Sequence, residues 1–124
     1  MRWIIDGMNV IGSRPDGWWR DRRAAMARLV EALEHWARSA DLEVTVVFEK
    51  PLSPPLVSDA VTVAHAPAPA PNSADDEIVR LVRTADDPGE ICVATSDRTL
   101  VERVRAAGAS TYPAERLRND IDPR

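Results

Sequence analysis

The sequence alternates between short apolar runs, each about as long as one β-strand, and longer stretches with the periodicity of an amphipathic helix. The apolar runs fall at residues 2–5, 43–48, 60–64, 91–94 and 110–112. The helical stretches fall at residues 21–38, 73–84 and 97–107. Strands that are separated by helices usually pair in parallel through right-handed crossovers. The pattern therefore predicts an α/β fold, a three-layer α/β/α sandwich with a mostly parallel sheet and a strand order of about 3-2-1-4-5.

Several connections are less well defined than the strands and helices. Residues 7–19 are expected to form a loop with one helical turn, and the loop at 49–59 leaves the direction of the third strand open. The Ala-Pro repeat at 66–71 is expected to be an extended connection within one domain. We expect that domain to span residues 1–118, with a helical turn at 114–118 and a frayed tail at 119–124.

The cellular compartment is predicted from the cysteine content and the apolar runs. The single Cys92 cannot form an internal disulfide, which indicates a buried thiol in a reducing compartment. No run approaches the roughly 20 apolar residues that span a membrane, and the first residues lack a signal-peptide pattern. We expect a cytoplasmic protein without a membrane partner.

The distribution of charge is more informative than its sum. A net charge of −4 excludes a globally basic nucleic-acid binder, but Arg14, Arg20, Arg22 and Arg23 lie within ten positions of one another. Arginine suits phosphate because its planar fork donates two parallel hydrogen bonds. A solvated helix face would explain these residues equally well, and the neighbouring Trp18–Trp19 pair could either stack on unpaired bases or join the core.

Polar side chains follow the predicted strands at the point where each strand ends. In a parallel sheet these ends meet at one edge, where ligands bind. The residues in question are Asp6 and Asn9 after the first strand, Glu49 after the second, and Thr95, Ser96 and Asp97 after the fourth. Asp75 and Asp76 lie in the first turn of the helix at 73–84.

Taken singly, most of these residues have an ordinary structural explanation. Asp97 fits a helix N-cap, Asp75 and Asp76 fit first-turn acids favoured by the helix dipole, and Asn9 and Glu49 fit loop positions. Asp6 is different, because it follows a buried run and precedes a glycine. Taken together, adjacent carboxylates repel one another unless a cation neutralises them, and a hard divalent ion with oxygen ligands is the usual solution.

Other chemistries find little support in the sequence. His35 and His65 lie apart from each other and from Cys92, so no zinc site is predicted. Cys92 has no base beside it in its strand, and the chain lacks the GxxxxGK[ST] phosphate loop. A phosphatase on a similar sheet is a further possible function. It is weakened because no DxD motif follows the first strand.

Five motifs in this order resemble a known family. They are Asp6-Gly-Met-Asn9-Val-Ile-Gly, Val-Val-Phe-Glu49, Ser-Ala-Asp75-Asp76-Glu-Ile, Ala-Thr-Ser-Asp97-Arg and Gly108-Ala. Together they resemble the NYN domains of the PIN-like nuclease superfamily, in particular the YacP-like branch, over residues 2–117. The resemblance implies a metal-dependent ribonuclease with a mostly parallel α/β/α sandwich.

The resemblance also implies roles for individual residues. Asp6, Asp75 and Asp97 would bind one or two Mg²⁺ or Mn²⁺ ions, with Asn9 supporting the site and Asp76 as a substitute or supporting acid. Many relatives have Asp where this chain has Glu49, and a second acid where it has Thr99.

These expectations lead to one main hypothesis about function and one alternative. RNA, single-stranded or ribosome-associated, would be cut within the strand while flanking phosphates bind Arg14, Arg20, Arg22, Arg23 and Arg98. A homodimer is compatible with the sequence. The alternative is a module that keeps the fold but has lost the metals, and that binds RNA or another protein.

Overall fold

A computed structural model describes residues 1–67, 70 and 72–122 of the chain. Five strands form one sheet in the order β3-β2-β1-β4-β5, and every neighbouring pair among them is parallel. The strands are β1 (Arg2–Asp6), β2 (Glu43–Phe48), β3 (Val61–His65), β4 (Ile91–Ala94) and β5 (Ser110–Tyr112). The predicted fold class and strand order are therefore confirmed, and the direction of β3, which the sequence left open, is parallel.

Five α-helices connect and cover the strands. They are α1 (Gly7–Ile11), α2 (Arg22–Ala40), α3 (Ser73–Thr84), α4 (Arg98–Ala106) and α5 (Ala114–Ile121), with 3₁₀ turns at Trp18–Arg20 and Pro88–Glu90. None of the helices in the described part of the chain is both long and apolar enough to cross a membrane. The predicted Ala-Pro connection lies partly outside the described residues.

The sheet separates two hydrophobic clusters, which makes the fold a three-layer sandwich. On one face, α1, α2 and α5 pack on the sheet through a cluster that includes Ile5, Leu33 and Leu117. On the other face, α3 and α4 pack on it through Ile4, Ile78 and Leu100. The alternation of Ile4 and Ile5 between the two clusters follows from the two-residue period of a strand. Both faces of β1 are thus buried, as its unbroken apolar run predicts.

The ends of several helices follow known capping rules. The Asp21 side chain accepts a hydrogen bond from Ala24 N at 3.0 Å, and Gly108 follows α4 with φ +100°, a conformation that favours glycine. At α3, Asn72 precedes the first helical residue, Ser73, and occupies the N-cap position, with φ 63° and no side-chain cap bond. Asparagine tolerates this left-handed conformation better than most residues, so it suits this turn into the helix.

The end of the chain is more ordered than predicted, since α5 continues to Ile121 where a frayed tail was expected from residue 119. The reason is a pair of reciprocal contacts, in which an arginine of α5 binds α1 and the loop after it, and an arginine of that loop binds α5. Arg118, which is buried, donates to the carbonyls of Val10 and Ile11 and pairs with Asp16 at 3.0 Å. In the other direction, Arg14 donates to the carbonyl of Arg118, which lies near the carboxyl end of α5. Residues 123 and 124 of the predicted tail lie outside the described residues.

Candidate active site

The end of β1 places Asp6 at the carboxyl edge of the sheet, and α1 begins at the next residue. Asp6 therefore occupies the N-cap position of α1, although its carboxylate makes no capping bond. The tight turn depends on Gly7, where an added Cβ would overlap the ring of Phe48. The lack of a side chain at Gly7 lets the β1–α1 turn approach the end of β2 closely.

A short chain of hydrogen bonds links the ends of β1 and β4. Thr95 Oγ1 donates to Asp6 Oδ2 at 2.8 Å, and the same hydroxyl oxygen accepts from Asp97 N at 3.1 Å. Asp97 then caps α4, because its Oδ1 accepts from Leu100 N at 3.0 Å. One oxygen of each carboxylate is thereby fixed. In the described residues, no hydrogen bond engages Asp6 Oδ1 or Asp97 Oδ2.

Asn9 and Ser96 join the same two loops. Asn9 Oδ1 accepts from Ser96 N at 2.8 Å, so the side chain of α1 holds the backbone of the β4–α4 loop. Ser96 Oγ in turn accepts from Ala114 N at 2.9 Å, at the start of α5. These bonds connect three segments that are far apart in sequence, which is a supporting role like the one that the resemblance implied for Asn9.

The other wall of the site comes from the start of α3. Asp75 lies in the first turn of this helix and reaches the cavity that Asp6 and Asp97 also line. The cavity has a volume of about 250 Å³ and is lined by Asp6, Met8, Asn9, Val47, Glu49, Asn72, Ala74, Asp75 and Asp97. The structure thus places the carboxylates of positions 6, 75 and 97 at one cavity, with Glu49 as a fourth.

Two of the carboxylates in this cavity, Asp6 and Asp75, have a raised pKa. Burial raises the pKa of Asp6 from 3.8 to about 7; the Thr95 hydroxyl opposes this rise, and the charges of Asp75, Asp97 and Glu49 add to it. Burial also raises the pKa of Asp75, and the charge of Asp97 contributes in the same direction. Because the free energy of ionising these acids is raised, a bound cation that neutralises their charge would be favourable.

The donor set can be compared with what a divalent ion requires. Within the described ranges, no three His, Cys, Asp or Glu side chains converge closely enough to form a complete metal cage. Mg²⁺, however, keeps several of its waters and binds through one or two carboxylates, and its ligands are oxygens. Carboxylates that line one cavity, two of them with a raised pKa, fit such an ion in chemistry and charge.

Other predicted site residues lie outside the cavity. Asp76 is the next residue after Asp75, but its side chain is 72% exposed and pairs with Arg103 at 3.0 Å. Arg14 is engaged with α5, so its guanidinium is not directed at a ligand. Arg20, Arg22, Arg23 and Arg98 are all exposed.

The structure also identifies residues that the sequence analysis missed. Arg103 on α4 lies near enough to Asp75 to lower its pKa, which opposes the effect of the acids. Asn72 lines the cavity from the N-cap position of α3. Neither residue belongs to a motif, and only the packing of α4 against α3 brings Arg103 to this edge.

A parallel sheet of order 3-2-1-4-5 with helices on both faces is the α/β fold that the motifs implied. A family model, the YacP-like NYN domain, matches residues 3–123, and the chain belongs to this family. The resemblance noted from the motifs is therefore confirmed. Family membership supports a ribonuclease-type function.

Solved structures agree with this assignment. The crystal structure of Rae1 (YacP) from Bacillus subtilis is 25% identical to this chain with a TM-score of 0.78, over 98% of this chain and 74% of that one. The structure of a tryptophan-to-leucine mutant of the same protein gives a TM-score of 0.81 at 24% identity, over 98% and 76% of the two chains. No curated protein matches the chain.

Proposed function

We propose that the protein is a metal-dependent endoribonuclease that hydrolyses phosphodiesters of RNA at the cavity around Asp6, Asp75 and Asp97. The observation that carries the proposal is the convergence of these three acids on one cavity at the carboxyl edge of the sheet. The family assignment supports the ribonuclease class. Cleavage within the strand follows the resemblance to NYN domains, and the free thiol of Cys92 supports a cytoplasmic location.

The acids of the cavity would hold Mg²⁺ or Mn²⁺. When bound, such an ion supplies an activated water and stabilises the negative charge that builds on the phosphodiester. Thr95 orients one oxygen of Asp6, and the start of α4 orients one oxygen of Asp97. This division leaves the second oxygen of each acid for the ligand, while Asn9 keeps the two loops together.

Exposed arginines would bind the phosphates on either side of the cleaved bond. These exposed arginines are Arg20, Arg22, Arg23 and Arg98. Although the chain is acidic overall, their positive charge suits the phosphates of RNA. Arg14 is left out of this set because its contacts hold α5. Asp76 is left out of the metal ligands because it pairs with Arg103.

The proposal is tested by incubating the purified protein with single-stranded and structured RNA, in Mn²⁺ or in chelator. We expect cleavage in Mn²⁺ only, and a loss of at least about 100-fold in Asp97→Asn, since the metal site supplies several kcal/mol to the transition state. Asp59→Asn is a matched control, because Asp59 is exposed and precedes β3 at the opposite edge of the sheet. Equal cleavage by Asp97→Asn and the control would contradict the proposal.

A binding module without metal is the second candidate, and the substitutions at Glu49 and Thr99 are the observations that favour it. Stabilisation by metal separates the two functions. A ligand that binds only the folded state raises the free energy of unfolding. The ribonuclease proposal predicts that Mg²⁺ or Mn²⁺ raises the melting temperature of the protein and of Asp59→Asn, but not of Asp97→Asn. No shift in any of the three would favour the module.

A further inference from the structure

The segment between α1 and α2 combines exposed aromatic surface with positive charge. Trp19 is 51% exposed, whereas large apolar side chains are normally buried. In the part of the chain that the structure describes, only Met1 and Val57 are comparable exposed hydrophobic residues. Both have simpler explanations, because Met1 is the first residue and Val57 lies in a proline-rich loop. An exposed indole inside a short 3₁₀ turn has no such explanation.

The indole of Trp19 is held in place by its neighbours. Trp18 is partly buried against the hydrophobic cluster under α1, α2 and α5. It meets Trp19 edge to face, with ring centroids 5.8 Å apart. Arg22 lies over the Trp18 ring at 5.3 Å from its centroid. The backbone of the turn is closed by a bond of 3.0 Å from Arg20 N to Gly17 O. A surface that is already ordered loses little conformational freedom when a ligand binds it.

The charge around this surface suits a polyanion. Arg20, Arg22 and Arg23 are exposed, and none of them forms an ion pair within the described residues. The two acids of the segment have other contacts, since Asp16 pairs with the buried Arg118 and Asp21 caps α2. Three exposed arginines are therefore close in sequence to an exposed indole, in a chain whose net charge is −4.

The position of the surface relates it to the acidic cavity. α1 begins directly after Asp6, and its other end at Gly12 lies against Trp18, where an added Cβ would be 3.9 Å from Cζ2 of that ring. A five-residue helix is about 7.5 Å long. Trp18, which Trp19 contacts, thus lies at one end of a short helix whose other end borders the cavity.

From this arrangement we propose that Trp19, supported by Trp18 and flanked by Arg20, Arg22 and Arg23, forms a stacking subsite for an unpaired base of single-stranded RNA. The inference rests on the proposed function and narrows its substrate class. Every base has a π-face, so stacking on an indole binds single strands with little sequence preference, while the arginines bind the adjacent phosphates. Bases within a duplex are already stacked and are not available to Trp19.

The test is the binding of a fluorescein-labelled single-stranded oligoribonucleotide to the full chain carrying Asp97→Asn, in chelator, followed by fluorescence anisotropy. We expect Trp19→Ala to weaken binding about 5- to 100-fold and Trp19→Phe to retain affinity within about threefold. Arg83→Gln is the control for charge, since Arg83 is exposed in the last turn of α3, at the end away from Asp75. This control is expected to change affinity by less than about twofold.

Two further readouts separate stacking from charge. Lowering the charge with Arg22→Gln is expected to reduce the slope of log affinity against log salt by about 0.7, whereas Trp19→Ala leaves that slope unchanged. RNA should also quench the tryptophan fluorescence of the Asp97→Asn protein, and Trp19→Phe should lose most of that quenching while it still binds. A fully duplexed RNA of the same sequence should show no effect of Trp19→Ala.

The outcomes distinguish this inference from the proposed function. Failure of the Asp97→Asn protein to bind single strands, equal binding by Trp19→Ala, or equal losses in Trp19→Ala and Arg83→Gln would each overturn the stacking subsite, even if the native protein cleaves RNA. Binding that depends on Trp19, without cleavage by the native protein in Mn²⁺, would support the subsite and overturn the ribonuclease.

Discussion

The two sides of the acidic cavity are built differently. On the strand side, which comprises Asp6 and Asp97, each carboxylate accepts a hydrogen bond that fixes one of its oxygens. On the helix side, formed by Asp75, no donor among the described residues bonds to the carboxylate. Asp75 depends only on the position of α3 to reach the cavity.

This difference separates the demands of folding from those of chemistry. Asp97 serves the fold as the cap of α4 and the site as an acid, so a substitution that removes its side-chain oxygens affects both. Asp75 is repelled by its neighbours and forms no bond that stabilises the fold, so its removal should cost only activity. The strand side gives the site its geometry, and the helix side completes its charge.

The largest expected effect concerns Asp6 and the pH dependence of stability without metal. Its folded-state pKa of about 7 lies above the ordinary 3.8, so the folded protein binds this proton more tightly than the unfolded chain. Stability from this group is therefore highest below pH 4 and falls as the pH rises to about 7. The difference corresponds to about 4 kcal/mol. Asp6→Asn should remove this fall and be the more stable protein at pH 8.

Urea unfolding in chelator from pH 4 to pH 8 measures the effect as the difference between the native protein and Asp6→Asn. The amide oxygen of asparagine can still accept from Thr95, so the variant keeps the bond that orients the side chain. The exposed Asp59→Asn serves as the control and should follow the native curve. If Asp6→Asn is less stable than the native protein at pH 8, the Asp6 carboxylate has a structural role that its contacts do not reveal.

The strand side was largely predictable from the sequence, for a physical reason. A parallel sheet aligns the carboxyl ends of its strands, so residues that directly follow apolar runs must lie at one edge. Asp6 and Asp97 could be placed together without coordinates because β1 and β4 are neighbours. The motifs then supplied the family, and the family model agrees with them.

The helix side and the loops were less predictable, because their geometry depends on rotation and on distant contacts. Successive residues of a helix point about 100° apart, so Asp75 and Asp76 look equivalent in sequence but diverge in space. The motifs implied Asp76 as a substitute or supporting acid of the metal site, whereas the structure pairs it with Arg103. Likewise Arg14 was grouped with the RNA-binding arginines, because no local pattern reveals its contact with Asn119 on α5.

A smaller effect is expected where Asp97 is replaced in two ways. Asp97→Ala removes the bond to Leu100 N and should cost about 1 kcal/mol of stability, whereas Asp97→Asn keeps a good N-cap. Both should lose cleavage, because both remove the carboxylate from the cavity. Thermal unfolding in chelator, together with the RNA cleavage assay, measures the two properties. Equal stability of Asp97→Ala and Asp97→Asn would show that the cap contributes nothing and that Asp97 resembles Asp75.

The smallest effect is expected at Asp76, and it sharpens the contrast within α3 itself. Its carboxylate is 72% exposed and pairs with Arg103 on the surface, so Asp76→Asn should change the free energy of unfolding by no more than about 0.5 kcal/mol. Cleavage by Asp76→Asn should stay within about twofold of the native rate, whereas Asp75→Asn, one residue earlier, should lose it while keeping or gaining stability. The two variants have the same change in charge on the same turn. A difference between them therefore reports only the direction of the side chain, toward the cavity or toward the surface. Loss of cleavage in Asp76→Asn, without loss of folding, would place Asp76 in the site and show that Arg103 releases it when RNA or metal binds.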